Sequence, residues 1–192
     1  ALLAEAEGWV NDLRKAYEIG LDYYSSNARL HNYYGELLYD VFKSVPAALR
    51  VWNLALSYDG KLSAPYNNLA LHDIHNGAYE QGLRNLDQAL ALDKDNPDYN
   101  YNMVQTYLVH GPQVGKIRNW KDKKIYREAM RLSKRAAKVS PDDFELQKDY
   151  AFNFFLAENF GVEAKWKEAA VAWQRTRELT VKDDALFYTW IN

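Results

Sequence analysis

Residues 63–93, "SAPYNNLALHDIHNGAYEQGLRNLDQALALD", hold two helical patterns with one stop between them. Ser63 suits an N-cap, Pro65 fits a first helical turn, and Gly77 supplies a C-terminal stop. Beyond the stop, Tyr79, Leu83, Leu86 and Leu90 fall on one face and Glu80, Arg84 and Asp87 on the other, which makes an amphipathic helix of about four turns. The stretch therefore reads as a helix, a tight turn and a second helix in about 34 residues.

The unit recurs. On its second helix, Gly82, Leu86, Ala89 and Leu92 repeat the small-large-small-large order of Ala48, Trp52, Ala55 and Tyr58. The order returns as Ala129, Ser133, Ala136, Val139 and as Ala169, Trp173, Thr176, Leu179, after insertions of roughly 13 and 6 residues relative to the 34-residue period. The first helices follow: Tyr66, Leu69, Ala70 match Asn100, Met103, Val104, then Gln147, Tyr150, Ala151, and more loosely His31, Tyr34, Gly35. Apolar residues recur at helical spacing and strand-like alternation is absent, so the chain is all-α.

A tandem 34-residue helix-turn-helix unit with small residues at Gly35, Ala70, Ala129 and Ala136, and Pro141 ending one repeat, resembles the tetratricopeptide repeat (TPR) family. Two positions depart from that pattern: Lys94 stands where the family has proline, and Asp73 where it has a large aromatic. The resemblance implies a right-handed α-solenoid of antiparallel helix pairs forming one repeat domain over 1–192. Its expected divisions are a degenerate half-repeat at 1–24 with Trp9, Leu13 and Ala16 facing inward; repeats at 28–62, 63–96, 97–143 with an insertion near 112–124, and 144–182; and a partial helix at 183–192. It also implies a non-catalytic scaffold that takes a protein or extended peptide in its concave groove. In several peptide-binding members an asparagine in the slot of Asn68 and Asn102 holds the ligand backbone. Around that slot the groove-lining positions are Asn67, Asn68, Leu71 and His75, then Tyr101, Asn102, Gln105 and Val109, then Lys148, Asp149, Phe152 and Leu156. The family's clamp for a C-terminal carboxylate needs a lysine and an asparagine, which Asn67 and Leu71 do not supply. Self-association through Trp166, Trp173, Phe187 and Trp190, or service as an accessory region of a larger protein, are the other expectations.

Composition removes several classes of chemistry. The chain has no Cys, so thiol catalysis, disulfides and Cys-type zinc sites are excluded. It has no Gly-rich phosphate loop and no G-x-S-x-G elbow, and no enzymatic activity or cofactor is expected. His72 and His75 flank Asp73 at metal-ligand spacing, but two imidazoles are an incomplete first shell, and no metal site is expected. The acids of "DKDNPD" (93–98) and "SPDDFE" (140–145) lie between helices, where turn and N-cap chemistry accounts for them. No apolar run approaches the roughly 20 residues of a membrane-spanning helix. The expectation is a soluble protein, cytoplasmic or periplasmic. The sequence begins at Ala1 without Met or a recognisable signal, as a processed chain or a fragment would.

Charge is uneven. Gln113 to Lys138 carries ten Lys or Arg against two acids, a net of +8 in a chain whose net charge is −2. Lys116, Arg118, Lys121, Lys123 and Lys124 surround Trp120 there and form a candidate basic patch. A solvated helix face with pairing to neighbouring acids explains most of this charge, and nucleic acid is not the expected partner.

Overall fold

The computed structural model describes residues 2–182, and the expected partial helix at 183–192, with Phe187 and Trp190, lies outside them. The described residues form ten α-helices: α1 (Leu2–Tyr23), α2 (Ala28–Asp40), α3 (Val45–Tyr58), α4 (Ser63–His75), α5 (Tyr79–Leu92), α6 (Pro97–Val109), α7 (Gly111–Arg118), α8 (Asp122–Val139), α9 (Phe144–Phe152) and α10 (Trp166–Lys182). Two short 3-10 turns, Asn153–Leu156 and Glu158–Phe160, follow α9, and no strand occurs among the described residues. The chain divides into two compact units, Ala1–Leu92 and Asp93–Asn192.

In the first unit α2 pairs with α3 and α4 with α5, each pair folded back through a turn of a few residues. The crossings are close because one helix presents a small residue. A Cβ on Gly35 would sit 2.4 Å from Trp52 Nε1, and one on Gly82 would sit 2.6 Å from Ile74 Cγ1 and 3.1 Å from the Ala70 carbonyl oxygen. Ala48, Ala55 and Ala89 are fully buried beside them. Gly77 takes the left-handed φ of 79° that ends α4, which a glycine adopts without steric cost. At the other end of α4 the sequence reading shifts by one residue: Ser63 is the first helical residue and Leu62 holds the cap position, with no side-chain cap.

Helix α1 packs on α2 through a face about one residue round from the expected one. Tyr17 stacks on Tyr34 with ring centroids 5.8 Å apart, Glu18 Oε1 accepts from the Tyr34 hydroxyl at 2.9 Å, and the Arg14 guanidinium lies over Phe42. Trp9 (72% exposed) and Leu13 (46%) face solvent, as does Ala16, so the inward-facing assignment is corrected: the strip that α1 buries runs through Tyr17 and Leu21, which pack against the α2–α3 core.

In the second unit α6 pairs with α8, and α7 lies between them in the chain, covering the first part of the expected insertion near 112–124, whose last residues already belong to α8. Helix α9 packs against α8 and α10. The acids and amides read as turn chemistry do that work: Asn96 Oδ1 accepts from the Asp98 and Tyr99 amides to cap α6, and Asp143 accepts from the Leu146 amide to cap α9. Arg175 Nη2 of α10 donates to the Pro141 carbonyl and to Asp142 Oδ1, both at 2.8 Å, which ties α10 to the turn before α9.

The crossing at Gly82 can be tested directly. Gly82→Val should destabilise the protein by about 1 to 3 kcal/mol in urea denaturation, because Ile74 and the α4 backbone leave no room for added methyls. Gly8→Ala, whose Cβ would meet nothing within 4 Å, should leave stability unchanged or slightly raised.

Candidate functional site

Each paired first helix begins with a side chain that donates to the turn before it. His31 Nε2 donates to the Ser25 carbonyl at 2.7 Å and the Tyr66 hydroxyl to the Gly60 carbonyl at 3.3 Å, both in the first unit. In the second, Asn100 Nδ2 donates to the Lys94 and Asn96 carbonyls at 2.9 and 2.7 Å, and Gln147 Nε2 to the Ala137 and Ser140 carbonyls. These donors add side-chain hydrogen bonds to carbonyls at the turn, including those of Asn96 and Ser140, which also accept the backbone amides of Asn100 and Asp143. The next slots along each helix are the candidate binding positions.

On the first unit, Asn68 Nδ2 donates to Asn32 Oδ1 at 3.2 Å and to Glu36 Oε1 at 3.0 Å, and Asn32 Nδ2 donates to the same Glu36 oxygen at 2.8 Å. Asn68 therefore bridges α4 to α2, and its Oδ1 has no partner among the described residues. Asn67 is buried, with 8% exposure, so its amide serves the interior. Leu71 is half-buried, and its carbonyl accepts from His75 Nδ1 at 3.0 Å. Asn32 and Glu36 fall in the groove-lining slots when the register of His31, Tyr34 and Gly35 is followed, and they are the further polar residues of this face.

On the second unit, Gln105 Nε2 of α6 donates to Asp149 Oδ1 of α9 at 2.9 Å, and Asn153 Nδ2 donates to Asp149 Oδ2 at 2.9 Å. Burial pushes the Asp149 carboxyl above the ordinary range, and the two amide donors and Lys148 only partly offset this. The Tyr101 hydroxyl is also pushed up, first by burial and then by the negative charges of Asp149 and Glu145. Lys148 pairs with Glu145 and lies over the Phe144 ring at 5.2 Å. Tyr101, Gln105, Lys148 and Asp149 are thus brought together, while Phe152 stands half-exposed with its ring 6.0 Å from Phe155. Asn102 is half-buried, and its carbonyl accepts from Thr106 Oγ1.

The two histidines of the opening stretch are occupied locally. His72 Nδ1 lies 3.4 Å from the Tyr39 hydroxyl and 3.3 Å from Asn76 Nδ2, and its ring meets Tyr39 edge-on. Asp73 between them accepts from Asn85 Nδ2 of α5 at 3.0 Å, which explains a carboxylate in a slot that favours an aromatic: it braces α4 on α5. No group of three or more metal-ligating side chains occurs among the described residues.

In the candidate basic patch, Trp120 is half-buried, edge-on to Tyr107 at 5.7 Å, with Lys124 Nζ 4.5 Å and Arg118 Cζ 5.7 Å from its ring. The tryptophan is thus a packing group between Tyr107 and two cations. Lys116, Lys121 and Lys123 are exposed. Further along α8, Arg131 pairs with Glu128, Arg135 with Asp95 and Lys134 with Glu168.

No family model matches the sequence, and no curated protein matches it. Solved structures do match. YrrB, a TPR protein, is 17% identical over 91% of this chain and 80% of its own, with a TM-score of 0.64. MamA from Desulfovibrio magneticus RS-1 is 12% identical over 95% and 92%, with a TM-score of 0.63. PilF from Pseudomonas aeruginosa is 14% identical over 93% and 72%, again at 0.63.

A pH series tests the environment of Asp149. Its folded-state pKa lies above the unfolded value near 3.9, so the folded state binds the proton more readily. The unfavourable contribution is absent below the unfolded pKa and grows as pH rises through the folded one. The stability of the parent minus that of Asp149→Asn should therefore fall as pH rises from about 4 toward neutrality, measured by urea denaturation at each pH. A flat difference would remove the buried-carboxylate assignment. Taken together, the paired helices of the described residues and these structural likenesses establish a tetratricopeptide-repeat fold.

Proposed function

We propose that the chain is a non-catalytic protein-interaction scaffold that holds an extended peptide on the first-helix faces of its repeats. The repeats are those at 28–62, 63–96, 97–143 and 144–182, and the half-repeat is at 1–24. The supporting observation is Asn68. Two hydrogen bonds to α2 fix its amide, leaving Oδ1 as an oriented acceptor for a ligand backbone N–H. On the second unit, Tyr101 and Gln105 offer polar groups near Asp149, and Phe152, three residues further along α9, is exposed, so directional and apolar groups are both available to an extended segment. YrrB, which shares the fold, carries an unusual peptide-binding site, and this supports a ligand of the same class here. No helix among the described residues is long and apolar enough to cross a membrane.

The uncovered stripe of α1 favours a second reading. Trp9, Leu13, Ala16 and Tyr23 lie on one face and are exposed, Tyr23 at 80%, and such a stripe suits self-association or docking on a larger assembly.

Panning a random peptide display library on the immobilised chain tests the first reading. Selected peptides should lose affinity by about 2- to 10-fold in Asn68→Ala, the value of one hydrogen bond to the backbone, with the helical circular dichroism unchanged. Peptides indifferent to Asn68→Ala and to Tyr101→Ala would sink it. A dimer by light scattering that Trp9→Ser abolishes would move the weight to the second reading.

A further inference from the structure

The second unit has a cavity of about 910 Å³ away from the α6 and α9 face that carries Tyr101, Gln105 and Asp149. One wall is the edge of α8, the floor is Tyr150 and Phe154, and the other wall is the 161–165 connection with the first turn of α10. The lining divides by chemistry. Its apolar part is Tyr126, Met130, Tyr150, Phe154, Val162 and Trp166. Its charged part is Lys123, Arg127, Arg131, Lys134, Lys165 and Lys167 against Glu163 and Glu168, six cations to two acids and a net of +4. Glu168 is already neutralised by Lys165 at 2.8 Å and Lys134 at 4.0 Å. Lys123, Arg127 and Lys167 have no ion-pair partner among the described residues.

The polar groups of the floor differ. The Tyr126 hydroxyl is spent on the Asn153 carbonyl at 3.1 Å, whereas the Tyr150 hydroxyl has no hydrogen-bond partner among the described residues. Trp166, 52% exposed, continues outward to Phe155 with ring centroids 5.5 Å apart, so an aromatic rim borders the cavity.

Spacing narrows the occupant. Lys123, Arg127, Arg131 and Lys134 follow one edge of α8 at intervals of four, four and three residues, or about 6, 6 and 4.5 Å at 1.5 Å rise per residue. Alternate side chains of an extended strand lie about 6.6 Å apart, close to the first two intervals. From Lys123 to Lys134 the edge runs roughly 16 Å, room for about five extended residues. We propose that this groove is a second protein-binding site, which takes an extended acidic segment alternating acidic with apolar residues. The carboxylates meet Lys123 and Arg127 in turn, the edge continuing to Arg131, which already pairs with Glu128 at 2.8 Å, and the alternate apolar side chains turn down onto Met130, Tyr150 and Phe154. The two acids among its walls and the apolar floor favour a peptide over a nucleic-acid backbone, which would present phosphate at every residue.

Fluorescence anisotropy on the full chain tests this, with a labelled peptide of about ten residues alternating Glu with Leu or Phe. Three counter-probes accompany it: Lys for every Glu, Ser for every apolar residue, and a single-stranded RNA of similar length. The alternating acidic peptide should bind, and the counter-probes should bind at least tenfold more weakly. Lys123→Glu with Arg127→Glu should weaken it by tenfold or more, and Trp166→Ala several-fold, with unchanged helical circular dichroism. Lys138→Glu with Arg177→Glu, exposed cations outside the groove, should change affinity by less than twofold. Failure of the alternating peptide to bind would overturn the proposal. So would equal binding of the Glu/Ser peptide or RNA, or equal loss in the Lys138/Arg177 variant. A dimer by light scattering that dissolves in the Lys123/Arg127 variant would assign the groove to a second copy of the chain instead.

Discussion

Close approach of paired helices is the constraint on which the rest of the fold depends. Where Gly35 faces Trp52 and Gly82 faces Ile74, a single added carbon would collide with its partner. The large residue on one helix can lie flat only because the other supplies no side chain, and dense contact of this kind is what dispersion and burial reward. Equivalent positions in the second unit, Ala129, Ser133 and Ala136, are also buried. One crossing fixes the separation of two backbones. It therefore also fixes which side chains of adjacent first helices come within hydrogen-bonding reach.

Those side chains show a repeated contact that is chemical rather than steric. Counting from the turn-locking residue, the fifth position after His31 is Glu36 and the second after Tyr66 is Asn68, and these two hydrogen bond. In the second unit the fifth after Asn100 is Gln105 and the second after Gln147 is Asp149, and these hydrogen bond too. Donor and acceptor have exchanged places while the geometry is kept. In both units the carboxylate is matched by an amide, which can donate to it without adding charge to a half-buried face. This contact stiffens the surface that a ligand would meet, so Asn68 acts as helix brace and as candidate ligand acceptor through different atoms.

How much of this was legible in the sequence depends on which physical signal each feature leaves. The helices and their pairing were readable because burial imposes a period: Ala48, Ala55, Leu86, Ala89 and Ala136 all occupy the expected interior slots. Capping left a readable signal at Asn96 and Asp143, and Gly77 was readable from its place between two patterns. Helix α1 was misread in rotation because Trp9 and Leu13 satisfy an apolar period that no neighbour covers. The roles of Asn68 and Asp149 were half legible. Their slots followed from the repeat, but the partners Glu36 and Gln105 come from adjacent helices 32 and 44 residues away, which no local pattern connects. Trp120 was legible as an aromatic amid cations, but its contact with Tyr107 leaves no local sequence signal.

The departures from the 34-residue period prove to be structural events of two kinds. The longer insertion contributes most of α7, and its left-handed cap at Asn119 (φ 53°) lets the chain turn into α8. The shorter one lies after α9, which stops at nine residues and passes into 3-10 turns before Gly161, at φ 64°, sends the chain toward α10. A 3-10 turn holds few residues and has poorer hydrogen-bond geometry than a helix, so this segment gives a connection rather than a full packing surface. The connection closes one side of the cavity beside α8, and Arg127 and Lys123 on the opposite edge remain without acids to meet them. The excess positive charge of Gln113–Lys138 then has a structural position as well as a sequence one. Part of it is neutralised by Glu128, Asp95 and Glu168, part lies over Trp120, and the remainder borders an apolar floor, where desolvation strengthens its attraction for an incoming carboxylate.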